Sequence, residues 1–172
     1  MRALEPVDTQ VLTWTQPKVM QRHFELRAGD DLVGSLTWSG WFTNRAVGHT
    51  ISREWYFDRH GLWKPRITIE DAGSGVEIAH MTYKWMVQGD IVFGDERRYN
   101  WRSSNFWQTR WEMTDPNGLT VYELKLTNQW WRFAAEVHLL PEARTTRELD
   151  VLLLTGWYLA YLMKQSSAAA AS

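Results

Sequence analysis

The sequence predicts a mainly β domain, a closed twelve-stranded β-barrel around a buried hydrophobic C-terminal α-helix. Three observations lead there. A degenerate repeat recurs after 43 and then 44 residues. Each unit reads as four short strands. The last apolar stretch of the chain has no polar face. A repeat multiplies one supersecondary unit, and a helix apolar on all sides needs a core, or a membrane, around it.

The first unit opens with a strand at residues 12–15. Phe24-Glu25-Leu26 alternates, Ala28-Gly29-Asp30-Asp31 turns, and residues 32–38 return. In the second unit a strand at 54–59 precedes the alternating Ile67-Thr68-Ile69, the turn Asp71-Ala72-Gly73-Ser74-Gly75 and a return over 76–82. In the third, a strand at 98–102 precedes Trp111-Glu112-Met113, the turn Asp115-Pro116-Asn117-Gly118 and a return over 119–126. Glycine-containing turns between alternating segments are hairpin signals. Fourth strands fall near 46–52, 90–94 and 133–139. Trp14, Phe57 and Trp101 each stand ten residues before Phe24, Ile67 and Trp111, and Met20, Trp63 and Trp107 each stand four before them. Three units of four strands make twelve, and closure removes their exposed edges.

The terminal stretch TTRELDVLLLTGWYLAYLMK covers residues 145–164. Thr145 and Glu148 have capping-box spacing and predict a helix start there. Glu148 and Asp150 put negative charge in its first turn and Lys164 puts positive charge in its last. Residues 149–163 are apolar except Asp150 and Thr155. That span falls short of the about 20 residues a membrane-spanning helix needs, so it reads as a core helix. A β-trefoil has units of this size but no place for such a helix. The expected organisation is an N-terminal extension at 1–10, one barrel domain at 11–164 with its helix at about 145–164, and a disordered tail at 165–172.

In pattern and order the chain resembles the tubby-like C-terminal domains, including the LURP-one-related proteins and phospholipid scramblases. The resemblance rests on LDVLLLTGWYLAYLM, WKPRITIEDAGSGVEIAHM and YNWRSSNFWQTRWEMTDPNGLTVYEL, and covers roughly residues 10–164. It implies a twelve-stranded barrel around a C-terminal hydrophobic helix. It also implies a phosphoinositide-binding site among basic residues of the barrel surface, with no residue-by-residue match to this chain.

The formal net charge of −1 gives no overall pull towards nucleic acid or anionic membrane. The absence of cysteine excludes disulfides, thiolate metal sites and Cys nucleophiles, and fits a reducing compartment. MRALEPVDTQ has no apolar stretch of the kind a secretory signal carries. Twelve tryptophans suit strands, cores and ligand contacts.

No G-x-S-x-G, P-loop, H-E-x-x-H or EF-hand pattern occurs. The glycine-bearing stretch at 71–75 lies between strands and reads as a hairpin turn rather than a phosphate cradle. The histidines, at 23, 49, 60, 80 and 138, have no metal-ligand spacing. No catalytic residue, metal or cofactor is therefore expected. The basic residues are more suggestive. Arg53, Arg59, Lys64 and Arg66 fall in one strand–turn–strand segment, and Arg97, Arg98 and Arg102 recur one repeat later, followed by Arg110. Gathered on one end or side of the barrel they would make a positive concavity for phosphate or a lipid headgroup. The interspersed Glu54, Asp58, Asp95, Glu96 and Glu112 fit paired, solvated strand faces instead. Aromatic links, with Trp38, Trp41 and Phe42, then Trp85 and Met86, then Trp130 and Trp131, would gather on one rim. There they would cap the core, enter a membrane interface or take a ligand.

The expected function is a cytoplasmic, non-catalytic binding domain, peripheral to a membrane where its partner is an anionic lipid or membrane surface, with another anionic ligand also open. The alternatives are a membrane-anchored, scramblase-like lipid protein using residues 149–163 as its membrane segment, and a small-molecule enzyme with a pocket in the barrel. Nucleic-acid binding through interleaved Arg and Trp has the composition over 97–110 but is not favoured, because that alternation is ordinary for strands.

Overall fold

The computed structural model describes residues 1, 10–40, 43–61, 65–84, 88–129 and 132–170, with backbone alone for 83–84, 128–129 and 167–170. Twelve antiparallel strands form one closed up-and-down barrel. In the first unit they are β1 (Val11–Thr15), β2 (His23–Ala28), β3 (Asp31–Trp38) and β4 (Ala46–Thr50). The second unit gives β5 (Glu54–His60), β6 (Arg66–Asp71), β7 (Glu77–Lys84) and β8 (Gln88–Phe93). The third gives β9 (Arg98–Ser103), β10 (Arg110–Thr114), β11 (Thr120–Gln129) and β12 (Arg132–Leu139). Pairing of Leu12 with Val137 and Trp14 with Ala135 closes the sheet.

The repeat is visible in the backbone. The register slips between Leu26 and Arg27, between Ile69 and Glu70, and between Met113 and Thr114, once in the same hairpin of each unit. Such bulges bend and twist a strand, which closure of the sheet requires. The three turns that follow each hold a glycine at positive φ, Gly29, Gly75 and Gly118.

Strand alternation sends one side chain in two to the interior. Trp14, Phe57 and Trp101 are all fully buried, as are Phe24, Ile67 and, within 1%, Trp111. The opposite positions carry Glu25, Arg27, Asp58, Arg102, Glu112 and Glu136, all partly or wholly exposed. That is the inverse of a membrane-spanning barrel, which turns an apolar band outward.

The interior is filled by α1 (Leu149–Ala170). Every residue from 151 to 163 is buried. Trp157 stacks on Trp14 at 5.2 Å, and Tyr158 stacks on Trp38 at 5.5 Å. Thr155 donates its hydroxyl to the Val151 carbonyl at 2.6 Å, satisfying the one aliphatic hydroxyl in this stretch of helix. Filling a wide barrel with indoles leaves the N–H groups of Trp14, Trp55, Trp101, Trp111 and Trp157 without an acceptor among the described residues. Among the described residues, no helix is long and apolar enough to cross a membrane.

The helix boundaries differ from the sequence reading. Pro141–Arg144 form a 3₁₀ turn, and Thr145 turns its hydroxyl back to the Glu142 carbonyl. The expected capping box therefore does not form. The Glu148 carbonyl accepts the first helical bond, from the Leu152 N–H, while its carboxylate is drawn off to Arg97 and Tyr99. At the other end the helix continues to Ala170, through most of the stretch expected to be disordered.

Candidate functional site

In an up-and-down barrel, alternate connections share an end. The β2–β3, β4–β5, β6–β7, β8–β9 and β10–β11 connections lie at the end where α1 begins. Connections from odd-numbered to even-numbered strands lie at the end where α1 emerges. Tyr99, the second residue of β9, donates to Glu148 at 3.1 Å, and Tyr158 donates to the Asn44 carbonyl between β3 and β4 at 2.5 Å. The helix thus runs from the first end to the second.

This geometry splits the basic candidates. Arg53, Arg97 and Arg98 stand at the helix N-terminal end. Arg59, Arg66 and Arg102 stand at the opposite end of their strands, roughly 20 Å away at the rise of a β-strand. Lys64 lies outside the described residues. The described candidates therefore do not gather on one end, because residues one strand length apart in the sequence cannot share it. Several candidates are also already engaged. Arg97 binds Asp95 through Nε and Glu148 through Nη2, both at 2.6 Å. Arg102 reaches Glu112 at 2.9 Å and Arg66 reaches Glu77 at 2.5 Å. The Arg53 charge acts at longer range, lowering Asp71 and partly offsetting the effect of burial on Asp150. Arg98 is exposed at the edge of a surface groove with Glu77, His80 and Glu96. Arg59 is half-buried, in register with Ile67.

The helix N-terminal end is acidic. Asp30, Asp71, Asp95, Asp115 and Glu142 stand in or beside its connections. The Arg97 guanidinium is held more firmly protonated, chiefly by its bond to Glu148, and its own hydrogen bond keeps Asp95 below the usual carboxylate range. Burial, helped by the Glu148 charge, pushes the Tyr99 phenol up to about 12. Hydrogen bonds from the Ser74 hydroxyl and N–H lower Asp71, and burial raises Asp150. A cavity of about 290 Å³ lies beside Asp150, between β3 and the start of α1. These contacts pin the helix to the wall.

The other end is different in kind. Its described connections, and the strand residues that bound them, contain no Asp or Glu. The stretches not described, 41–42, 62–64, 85–87 and 130–131, contain none in the sequence either. Lys18, Arg22, Arg45, Arg110, Arg132 and Lys164 stand there. Several of these cations rest on rings. The Arg22 guanidinium lies 5.2 Å from the Trp38 ring and 5.5 Å from the Tyr161 ring. Arg45 lies 4.7 Å from Tyr56, and the Lys164 ammonium 5.1 Å from Phe133. A ring holds a cation without cancelling its charge. Carboxylates begin two residues along the strands, at Glu25, Asp58, Asp90 and Glu112; Glu25 lies 3.6 Å from His23, Asp58 3.8 Å from His60, and Glu77 reaches Arg66.

Two recesses flank the emerging helix. One, of about 520 Å³, lies between Met20, Arg22, His23, Thr37, Trp38 and Gly40. The other, of about 270 Å³, lies between Trp107, Thr109, Trp111, Met163 and Lys164. Of the aromatic links expected on a rim, Trp38 is buried against the helix. Trp41, Phe42, Trp85, Met86, Trp130 and Trp131 lie outside the described residues. Sequence reasoning passed over Lys18, Arg45 and Arg132, and took Lys164 only as a complement to the helix dipole. The signal was available in the parity of the connections, since grouping alternate loops separates a basic set from an acidic one. Among the described residues no cluster of histidine and carboxylate side chains could hold a metal ion. Comparison with family models, with curated proteins and with solved structures finds no match.

Proposed function

We propose that the protein is a non-catalytic binding domain whose barrel is a scaffold and whose helix C-terminal end takes an anionic ligand, either a phosphate-bearing lipid headgroup or another polyanion. The end whose connections carry no Asp or Glu, on an otherwise near-neutral molecule, carries this reading. Clustered cations attract phosphate and hold it by charge-assisted hydrogen bonds. The resemblance to tubby-like domains lends support, since the closed barrel around an apolar helix is the arrangement it implies. A cytoplasmic membrane periphery, where anionic lipids concentrate, is the setting in which such a domain would work. Membrane anchoring through residues 149–163 has less support, because the barrel wall encloses that stretch.

Calorimetric titration with inositol hexakisphosphate at low and high salt tests the reading. Binding should weaken with salt, and combined Lys18→Ala, Arg45→Ala and Arg132→Ala substitutions should cost at least about tenfold, since one hydrogen bond to a charged group is worth about 1.5–3 kcal/mol. Arg53→Ala with Arg98→Ala, at the acidic end, should leave affinity unchanged. An equal loss from either end would show that the site is not where charge places it.

A further inference from the structure

We infer that the occupant of the cationic end is the surface of an anionic bilayer, met end-on, with Val19–Met20 and Phe106–Trp107 dipping below the headgroups. This rests on the anion-binding reading above and names its partner. The carriers are the β1–β2 and β9–β10 connections at that end, beside the emerging helix, where the exposed side chains are apolar. Val19 is 43% exposed and Met20 75%, while Phe106 is 88% exposed and Trp107 79%. The two pairs occupy equivalent places in the first and third repeat units. In the sequence the corresponding residues of the second unit are Leu62 and Trp63, outside the described residues.

Exposed apolar side chains occurring singly need no explanation. These differ because each pair is held out by a braced loop. The Asn105 side chain accepts from the N–H groups of Thr109 and Arg110, at 2.9 and 3.0 Å, and donates to the Thr109 hydroxyl at 2.7 Å. The Asn105 carbonyl accepts from the Ser103 hydroxyl at 2.7 Å and from the Gln108 N–H at 3.1 Å. Gln108 is at φ 53, a conformation that side chains rarely adopt. Phe106 and Trp107 meet edge to face at 5.4 Å on this frame. In the first unit Gln16, only 6% exposed, does the bracing. Its side-chain amide donates to the carbonyls of Gln21 and Val19, at 2.8 and 3.3 Å.

Two braced apolar loops, at the end that carries the exposed Lys18, Arg110 and Lys164, match the layering of a bilayer surface. Phosphates meet the cations, and the interfacial region takes Trp, Phe and Met beneath them. A soluble anion would use the cations and leave the fingers in water. Charge complementarity and apolar protrusion together are the two signals that stable peripheral binding requires.

The test is sedimentation of the full chain with vesicles of phosphatidylcholine alone and of phosphatidylcholine with phosphatidylserine, alongside titration with inositol hexakisphosphate. The expected result is binding to the serine-containing vesicles. Phe106→Ala with Trp107→Ala should reduce that partitioning by roughly tenfold or more, the scale of unburying one large apolar side chain, and leave inositol hexakisphosphate affinity unchanged. Met20→Gln should act in the same direction. Val76→Ala with Leu119→Ala, exposed apolar residues in the opposite turns, should do nothing. Lipids brominated on the acyl chain should quench wild-type fluorescence more than that of Trp107→Phe. Vesicle binding that survives loss of the aromatic pair, or soluble-anion binding with no vesicle binding, would overturn the bilayer as occupant and leave the anion site standing. Failure to bind either probe would remove the anion site itself.

Discussion

Gly156→Ala is the substitution on which the barrel–helix packing is most exposed to test. A Cβ at this position would lie 2.2 Å from the Tyr122 hydroxyl oxygen, with the Trp101 ring next at 3.1 and 3.3 Å. Nonbonded atoms settle at roughly 3.5 Å. The hydroxyl cannot simply turn away, because it donates to the Leu152 carbonyl at 2.7 Å inside the core. Ala gains about 1 kcal/mol of helix propensity over Gly. Against this stand overpacking of about 1–3 kcal/mol and the loss of a buried hydrogen bond of about 1 kcal/mol. A net loss of about 1–3 kcal/mol is expected. Tyr122→Phe alone should cost about 1 kcal/mol, and it removes the atom that the added methyl group would meet first. In that background the closest contact is the 3.1 Å one, tight but workable, so most of the penalty should disappear. Urea unfolding followed by tryptophan fluorescence gives the four free energies of the cycle. A coupling of at least about 1 kcal/mol is expected, since touching residues typically couple by about 0.5–3 kcal/mol. Additivity within about 0.5 kcal/mol would refute the claim that the glycine exists to admit Tyr122.

Three further outcomes follow from the acidic end. Tyr99 keeps its proton in the folded protein up to about 12, above the ordinary value of 10. Its contribution to stability is therefore fully present below pH 10 and is lost as the pH climbs towards 12, where the unfolded chain has ionised first. Urea midpoints measured across that window should fall more steeply for wild type than for Tyr99→Phe. Burial raises Asp150, so the carboxyl group's contribution is present below its ordinary acidic value and lost as pH rises. Asp150→Asn should be more stable than wild type at pH 7, by up to about 1 kcal/mol, and lose that advantage at pH 3. Arg97→Ala should lower stability by leaving the Glu148 carboxylate, 12% exposed, with the Tyr99 hydroxyl but without its charge partner, yet leave the affinity for inositol hexakisphosphate unchanged.

The strands are readable because alternation and turn chemistry agree three times over. Trp14, Phe57 and Trp101 mark the inward face before any pairing is known, and Gly29, Gly75 and Gly118 sit in the turns expected from the sequence. The helix is readable because nothing between Val151 and Met163 offers a solvent face. Its start is not, because Thr145 and Glu148 satisfy a local rule that a tertiary partner overrides. Arg97, 51 positions earlier in the chain, claims the carboxylate that the cap would need. The basic candidates divide between the two ends for a related reason. Proximity in sequence suggests proximity in space, and along a β-strand it means the reverse, since Arg53 and Arg59 are carried to opposite ends by the strand between them.

The same separation explains why a net charge of −1 does not argue against an anionic partner. The two ends lie roughly 20 Å apart along the strands, more than two Debye lengths at physiological ionic strength, where screening acts over about 8 Å. A surface approaching the cationic end therefore meets Lys18, Arg45, Arg132 and Lys164 almost as though Asp95 and Glu96 were absent. Asp95→Asn with Glu96→Gln would raise the net charge by two while leaving that end untouched. At physiological salt, vesicle and inositol hexakisphosphate affinity should stay within about twofold of wild type, and at low salt, where the Debye length grows to about 30 Å at 0.01 M, the variant should bind more tightly. A gain of equal size at both salt concentrations would mean that net charge, rather than the arrangement of charge on the barrel, governs binding.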